Sequence, residues 1–245
     1  MPEKRMKRPL ALTIHITFFV ILSFTAYSKT IIIPGDASTI QDGIATADDL
    51  DTVLVLAGTY SENINLAGRE VVVLSDEGPE TTILQPSDSN LPVFRIDNAP
   101  TLKDKNGRGF QPEIAGFTIE GGNESHTIYI DGPTNAIIRD NIFRDNIPIG
   151  NYDKAVIVCY GDSSAPLIKH NVFYGNYGIT CVWIIEGRAR IINNTFAANK
   201  SAFYCNSGVG EAMNNIAVNN IGTAIDGEFG KLDYNDVWNN TSDYG

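Results

Sequence analysis

A six-residue pattern occurs five times in the second half of this 245-residue chain: an Asn, four further residues of which the second is apolar, and then another Asn. Successive occurrences are separated by 30, 23, 21 and 20 residues. A repeat whose period lies between about 20 and 50 residues is typical of a solenoid, in which each unit stacks on the one before it. The occurrences begin at Asn141, Asn171, Asn194, Asn215 and Asn235.

Each repeat contains three short apolar segments separated by Gly, Asn and Pro, for example residues 127–131, 136–140 and 142–145. No segment keeps the apolar stripe of a helix, which argues against a leucine-rich repeat of the same period. Three strands per unit predict an all-β fold, a parallel β-helix with coils about 4.8 Å apart. The apolar residues of the pattern should then stack inside it: Phe143, Phe173, Phe196, Ala217 and Val237.

The repeated Asn residues are expected to occupy sharp turns, because Asn tolerates left-handed backbone geometry and its side chain can hydrogen-bond to the next coil. The three cysteines, Cys159, Cys181 and Cys205, are spaced at almost the repeat period. An odd number without a C-x-x-C pair argues against a disulfide framework or a zinc site. We interpret them as an inward-facing stack of inert thiols.

The N-terminal part carries a more specific signal. Residues 39–47 have helical spacing of Ile40, Ile44 and Ala47, and residues 53–64 match V-x-V-x-x-G-x-Y-x-E-x-I. This combination resembles the entry segment of the pectin lyase-like right-handed parallel β-helix superfamily (PbH1 repeats), in which a short helix caps the solenoid. We therefore expect one β-helix domain over residues 29–245, with the cap and first strands in 29–66 and repeat coils in 93–245. The last unit stops halfway through a coil, so the natural product is expected to be longer.

The first 28 residues have a basic start, an uncharged apolar run and a small-x-small end, which predicts a signal peptide cleaved near Ser28; a signal anchor is the alternative. The remaining chain would carry a net charge of about −14. Such a surface repels nucleic acid and anionic membranes. We expect an exported protein that is secreted, periplasmic or at the cell surface, a monomer, and not bound to nucleic acid or, after cleavage, to membrane.

The superfamily includes polysaccharide lyases, methylesterases, hydrolases and non-catalytic members, so the resemblance implies a polysaccharide-facing groove but no particular reaction. The chain has no motif resembling those of pectin methylesterases or polygalacturonases. If the cysteines point inward, alternation predicts two outward rows on the first strand of each coil. One row is Arg95, Tyr129, Val158, Thr180, Tyr204 and Ala224, and the other is Asp97, Asp131, Tyr160, Val182, Asn206 and Asp226.

These rows contain the candidate site residues. Asp97 and Asp131 would lie about 5 Å apart on adjacent coils, near the separation of acid and nucleophile in retaining glycosidases, with Arg95 beside them. The candidate catalytic residues are therefore Asp97, Asp131 and Arg95. The candidate substrate-binding residues, whose side chains suit sugar faces and hydroxyl groups, are Tyr129, Tyr160, Tyr204 and Asn206.

Two alternatives involve charge elsewhere. Arg139, Lys169 and His170 would supply cations and a base for uronate lyase chemistry on a neighbouring face. The acidic cluster of Asp48, Asp49 and Asp51 offers oxygen ligands for Ca²⁺, although a solvated turn explains it equally well. No metal site or cofactor is otherwise indicated.

Two functions are consistent with the sequence. The first is an exported carbohydrate-binding or carbohydrate-processing β-helix; if it is an enzyme, it is a polysaccharide lyase or glycoside hydrolase. The second is a non-catalytic structural or adhesive module of a longer cell-surface protein.

Overall fold

The computed structural model describes residues 28–97, 111–122, 126–147 and 154–245. The predicted signal peptide lies outside these residues except for Ser28. Among the described residues, no helix is both long enough and apolar enough to span a bilayer.

The described residues form one short helix, α1 (Ile40–Thr46), and 25 short strands. In chain order the strands are β1 (Thr30–Ile33), β2 (Thr52–Val55), β3 (Gly58–Ser61), β4 (Ile64–Asn65), β5 (Val72–Ser75), β6 (Thr82–Gln85), β7 (Phe94–Asp97), β8 (Glu113–Ala115), β9 (Thr118–Ile119), β10 (Ile128–Asp131), β11 (Ile137–Arg139), β12 (Ile142–Arg144), β13 (Ala155–Tyr160), β14 (Leu167–Lys169), β15 (Val172–Tyr174), β16 (Thr180–Ile184), β17 (Arg190–Ile192), β18 (Thr195–Ala197), β19 (Ser201–Cys205), β20 (Glu211–Met213), β21 (Ile216–Val218), β22 (Thr223–Gly227), β23 (Lys231–Asp233), β24 (Asp236–Trp238) and β25 (Ser242–Tyr244).

The strands build three parallel sheets that the chain visits in turn. Sheet A has the order β1-β2-β5-β8-β11-β14-β17-β20-β23, sheet B the order β24-β21-β18-β15-β12-β9-β6-β3, and sheet C the order β25-β22-β19-β16-β13-β10-β7-β4. From β7 onward each coil contributes one strand to sheet C, then one to A, then one to B. Each strand pairs with its counterparts in the neighbouring coils, and β23, β24 and β25 are the edge strands at one end. The predicted right-handed parallel β-helix with a short N-terminal helix is confirmed.

Aromatic side chains stack in the interior where the repeated pattern places them. Phe143, Phe173 and Phe196 occupy equivalent positions of β12, β15 and β18, and all are fully buried. Their ring centroids lie 4.7 and 4.6 Å apart with nearly parallel planes. Ala217 and Val237 continue the row, as predicted.

Both Asn residues of the pattern form hydrogen-bonded rows along the solenoid. At the corner between sheets A and B, the Oδ1 atom of Asn194 accepts hydrogen bonds from the backbone N–H and the Nδ2 of Asn171, at 2.9 and 3.0 Å. Asn194 in turn donates to Asn215. We call this row the first Asn ladder, and the equivalent row at the corner between sheets B and C the second. The first is Asn141, Asn171, Asn194, Asn215 and Asn235, and the second is Asn146, Asn176, Asn199, Asn220 and Asn240.

The left-handed backbone is adopted by the residue before each ladder Asn, not by the ladder Asn itself, which differs from the expectation. His170 (φ 56°) precedes Asn171 and Ala198 (φ 55°) precedes Asn199. The ladder Asn is instead selected for its amide, which supplies both a donor and an acceptor to buried backbone groups.

The helix closes the N-terminal end as the resemblance predicts. Thr39 accepts a hydrogen bond from the Asp42 N–H at 3.0 Å, which is a standard N-cap. The carboxylate of Glu62 accepts from the backbone N–H groups of Ile40 and Gln41, at 2.9 and 3.0 Å. Ile40 and Ile44 pack into the core. The Glu of the V-x-V-x-x-G-x-Y-x-E-x-I motif therefore ties the first coil to the helix.

Candidate functional site

The outer face of sheet C carries two rows of in-register side chains. The first row contains aromatic and charged residues, and the second begins with two carboxylates. The first row is Arg95, Tyr129, Val158, Trp183, Tyr204 and Asp226. The second row begins Asp97, Asp131 and Tyr160, and Asn206 follows Tyr204 by two residues near its other end.

The register corrects the predicted rows from the fourth coil onward. Trp183, not Thr180, lies between Val158 and Tyr204. Val182 and Ala224, predicted to point outward, are fully buried. Asp226 pairs with Tyr204 and so belongs to the first row, not the second.

The error came from aligning the coils on their cysteines. Cys159 is in register with Ile184 and Cys205, whereas Cys181 lies three residues earlier in its strand than Ile184. The three thiols therefore do not form a single stack, although all are free and buried. Burial raises the pKa of the Cys159 and Cys181 thiols, which keeps them protonated and unreactive.

Connections of unequal length cause the offset. The segment from the second ladder to sheet C spans four residues from Asn176 to Thr180 but only two from Asn199 to Ser201. A shift of strand register changes which side chains face outward. Trp183 was therefore missed, and an alignment on the Asn pairs together with these connection lengths would have been needed to find it.

Arg95 connects the two rows at their start. Its Nε lies 2.5 Å from the Asp97 Oδ2. Its guanidinium carbon lies 5.0 Å from the centre of the Tyr129 ring, which is a cation–π contact. The hydrogen bond that Arg95 donates to Asp97 is the main reason that the pKa of Arg95 is raised. Arg95 therefore stays charged and holds Asp97 in a fixed orientation.

Asp97 and Asp131 occupy paired positions of β7 and β10, as predicted. Adjacent parallel strands are about 4.8 Å apart, so the two carboxylates can approach the same small group. Their surroundings differ. Asp97 is paired with Arg95, and its Oδ1 is buried without a hydrogen-bond partner among the described residues. No hydrogen bond or ion pair within the described parts of the chain engages Asp131.

Aromatic rings cover the middle of the first row. Trp183 and Tyr204 lie with ring centroids 6.1 Å apart at 34°. The side chains of Tyr129 and Trp183 flank Val158, which is only 1% exposed although it belongs to an outward row. The Trp183 indole is half-buried, and its Nε1 is buried with no hydrogen-bond partner among the residues that the structure describes. The row therefore presents a broad, largely apolar surface.

Polar groups border this surface. Tyr160 is 43% exposed and follows Asp131 in the second row. The hydroxyl group of Tyr204 donates to the Asn206 Oδ1 at 3.3 Å. Beyond Arg95, a cavity of about 190 Å³ opens beside Asn63, Asn65 and Leu91. All four predicted binding residues thus lie on one face, together with the predicted acidic pair.

The alternative lyase cluster is assembled but largely neutralised. Arg139 and Lys169 are in register on sheet A. Burial by itself lowers the pKa of Arg139, but its ion pairs with Asp140 and Glu113 outweigh that effect, so the pKa is raised. His170 lies 3.7 Å from Asp140. Only Lys169 remains without an ion pair in the part of the chain that the structure describes.

In the acidic cluster near the helix, the carboxylates of Asp49 and Asp51 accept hydrogen bonds from backbone N–H groups. Asp51 is 2% exposed, and its two oxygens accept the N–H groups of Lys29 and Asp48 at 2.8 and 2.9 Å. The Asp49 carboxylate accepts the Glu70 N–H. Across the described residues, no group of three or more His, Cys, Asp or Glu side chains is arranged to hold a metal ion.

Among solved structures, the chain is similar to the pectin methylesterase from Aspergillus niger in deglycosylated form, with 13% identity, 88% of this chain and 86% of that chain covered, and a TM-score of 0.43. The same enzyme in penultimately deglycosylated form matches at 12% identity, 89% and 86% coverage, and a TM-score of 0.41. No protein-family model matches the chain, and neither does any curated protein. The parallel β-helix fold rests on the three parallel sheets described above.

Proposed function

We propose that this chain binds an extended glycan along the outer face of sheet C and that Asp97 and Asp131 hydrolyse a glycosidic bond at one end of that face. The observation that carries the proposal is the in-register row with Tyr129, Trp183 and Tyr204, bordered by the two carboxylates.

Aromatic rings bind sugars through their apolar faces, while nearby carboxylate and amide groups bind the hydroxyls. Tyr129 and Trp183 are two coils, or about 10 Å, apart along the solenoid axis. A linear ligand lying along that axis would contact both rings, and Tyr204 one coil beyond. The regular spacing of the coils thus favours an extended polymer over a compact small molecule.

The two carboxylates suit different roles in hydrolysis. Asp97 is held by Arg95, so it is suited to act as the charged nucleophile, whereas Asp131 is free to deliver a proton to the leaving oxygen. A separation of about 5 Å leaves too little room for an attacking water between them and corresponds to the retaining geometry. Arg95 would steady Asp97 and does not itself transfer a proton, because its guanidinium remains charged.

Affinity electrophoresis in gels containing plant or algal polysaccharides tests binding. At least one polysaccharide should retard the wild-type protein. Trp183→Ala should weaken binding about tenfold, since the stacking of a sugar face on an aromatic ring contributes about 1.5 kcal/mol. Trp238→Ala is the matched control, because Trp238 is half-exposed on sheet B and away from the row. Equal loss in both variants, or no retardation by any polysaccharide, would overturn the binding proposal.

Mass spectrometry of released oligosaccharides tests catalysis. Saturated products from wild type, and at least 100-fold fewer from Asp97→Asn or Asp131→Asn at unchanged melting temperature, would support hydrolysis at the pair. Unsaturated products would favour a lyase reaction and move attention to Arg139, Lys169 and His170. Binding without any product favours the second candidate, a non-catalytic glycan-binding module, which the ion pair already engaging Asp97 supports.

Export is part of the proposal, since a polysaccharide ligand lies outside the cell and the predicted signal peptide would take the chain there. We further propose that the protein works as a monomer on the glycan, without nucleic acid, membrane or a metal cofactor. Addition of EDTA should therefore leave retardation in the gel unchanged. Loss of retardation in EDTA that added Ca²⁺ restores would contradict that part of the proposal.

A further inference from the structure

A recess lies around the corner from the glycan-facing rows, where sheet C passes into sheet A. We call it the arginine recess. It has a volume of about 530 Å³ and adjoins a smaller recess of about 230 Å³, with which it shares Arg188 and Val209. It is lined by Ala165, Arg188, Arg190, Val209, Glu211 and Gly230.

Two guanidinium groups point to the same side of the chain there. Arg188 and Arg190 are both exposed, while Ala189 between them is fully buried. This alternation directs both arginine side chains outward from one strand entry. Their spacing of two residues corresponds to about 7 Å along an extended chain.

Arg188 differs from the other described arginines. Each of the other five binds a carboxylate or a backbone carbonyl; these are Arg69, Arg95, Arg139, Arg144 and Arg190. Within the described parts of the chain, no acceptor engages the Arg188 side chain.

The register explains why Arg188 has no partner. Arg190 pairs with Leu167 in the coil before and Glu211 in the coil after. Two residues earlier in each coil, the neighbours of Arg188 are Ala165 and Val209, neither of which can accept a side-chain hydrogen bond. Asp162 lines the smaller recess with Arg188 but forms no ion pair with it.

The charge balance of the recess is positive. Glu211 lies between Arg190, whose Nε is 3.4 Å from its Oε2, and Lys231 in the following coil. One carboxylate therefore stands against two guanidinium groups in a chain whose formal net charge is −11. An unpaired arginine beside a second one is the arrangement that binds carboxylate or sulfate oxygens, often through two hydrogen bonds.

The smaller recess lies at the edge of the proposed glycan face. The smaller recess is lined by Asp162, two residues after Tyr160, and by Ser207, directly after Asn206. A sugar bound beside Tyr160 and Asn206 would therefore place a substituent next to the recess that Arg188 lines.

We propose that the arginine recess binds an oxyanion substituent, a carboxylate or a sulfate ester, on the glycan that lies along sheet C. This inference rests on the proposed function, because it adds an acidic group to the same ligand. It assigns Arg188 as the principal contact and Arg190 as the second.

The side-chain Nε–H resonances of ¹⁵N-labelled protein test the recess by itself. Methyl glucuronide and methyl sulfate serve as minimal probes, with methyl glucoside as the neutral comparison. Arg188→Gln identifies the resonance, and Arg144→Gln is the control, since Arg144 is paired with Glu120 on sheet B. A saturable shift of the Arg188 resonance with an acidic probe but not with the neutral one is expected. No saturable shift with either acidic probe, or the same shift with the neutral sugar, would overturn the proposal.

Oligosaccharide binding separates this inference from the proposed function. An oligosaccharide carrying carboxylate or sulfate should bind about tenfold more tightly than its neutral analogue, and Arg188→Gln should remove the difference. Equal affinity for the two would overturn the inference and leave the proposed function intact. A shift at Arg188 with the small acids, but no oligosaccharide bound at all, would overturn the proposed function and the glycan as source of the anion.

Discussion

The corner between sheets A and B and the corner between sheets C and A are built in opposite ways. The first has the same length in every ladder coil, a left-handed residue followed by a ladder Asn, as in His170–Asn171 and Asn193–Asn194. The second spans six residues between β13 and β14 but only three between β22 and β23. One corner repeats a structure, and the other varies it.

The hydrogen bonds of the ladder explain the constancy. Asn194, for example, bonds to backbone carbonyls of its own coil and of the preceding coil and to the side-chain amides of both neighbouring ladder residues, so an added residue would break bonds in three coils. At the C–A corner no such row exists in the described coils, and glycines such as Gly187 allow close stacking instead: a Cβ there would lie 2.6 Å from the Ser164 carbonyl oxygen. That freedom leaves space for the arginine recess.

Inserting two residues at each corner should give the largest difference in stability between the two corners. Gly-Ser inserted between His170 and Asn171 should abolish cooperative unfolding, because it removes ladder bonds and displaces a buried coil. The same insertion between Asp162 and Ser163, both exposed, should lower the free energy of unfolding by no more than about 1 kcal/mol. Urea unfolding followed by circular dichroism measures both, and similar losses at the two corners would show that the ladder does not fix corner length.

Removing one ladder amide should have the next largest effect. Asn194→Ala leaves the buried N–H of Asn171 without an acceptor and the Ile168 carbonyl without one donor, so we expect a loss of about 3 kcal/mol in the free energy of unfolding. Asn206→Ala is the control at the variable corner, where the side chain is exposed, and should change stability by less than about 0.5 kcal/mol. Comparable urea midpoints for the two variants would contradict the ladder's role.

Backbone strain at the second ladder allows a matched pair of substitutions. Ala198 and Gly175 hold equivalent left-handed positions in adjacent coils, at φ 55° and 69°. Gly175→Ala should lower the free energy of unfolding by about 1 kcal/mol, and Ala198→Gly should raise it by about 0.5 kcal/mol. Thermal melts of both proteins measure the changes; the comparison fails if the two shifts have the same sign.

The smallest expected effect depends on pH. The Nδ1 of His126 accepts the Ala155 N–H at 3.1 Å, a role that the amide of Asn plays elsewhere. Burial is the main cause of the lowered pKa of His126. The hydrogen bond with Ala155 opposes this shift, and the charge of Lys154 adds to it. Because the unfolded chain then binds more protons, stability is complete above a pH of about 6.5 and falls as pH decreases toward the folded pKa.

His126→Gln should therefore flatten the dependence of the urea midpoint on pH between about 7.5 and 5.5, a range chosen above the titration of ordinary carboxyl groups. His170→Gln, at an exposed ladder corner, is the control and should keep the slope of wild type. A slope that persists in His126→Gln would assign the pH dependence to other groups.

The interior of the solenoid was predictable because it repeats. Phe143, Phe173 and Phe196 must pack against copies of themselves, so the same residue recurs and its position can be found by alignment. The capping helix was predictable for a different reason, since its apolar spacing and the following motif resemble a known entry segment. The pairing of Asp97 with Asp131 was also predictable from the sequence, because the segments around Arg95 in β7 and Tyr129 in β10 resemble each other.

The later part of the outer face was not predictable from the same signals. Outward residues do not need to match between coils, so nothing in the sequence fixes the register of Trp183 against Val158. The cysteines, used for that purpose, do not occupy equivalent positions. The arginine recess depends on which residues lie beside Arg188 in two other coils, information that only the strand register supplies.

In the proposed function, the outer face of sheet C holds a glycan against Trp183. The most direct test follows the fluorescence of Trp183 in a Trp238→Phe background, where it is the only tryptophan, during titration with oligosaccharides from each polysaccharide that retards the protein. Glycan binding at this face should change the emission saturably, and Tyr204→Ala should weaken that binding about tenfold. Glycans that bind the protein while the emission of Trp183 stays constant would contradict the proposal.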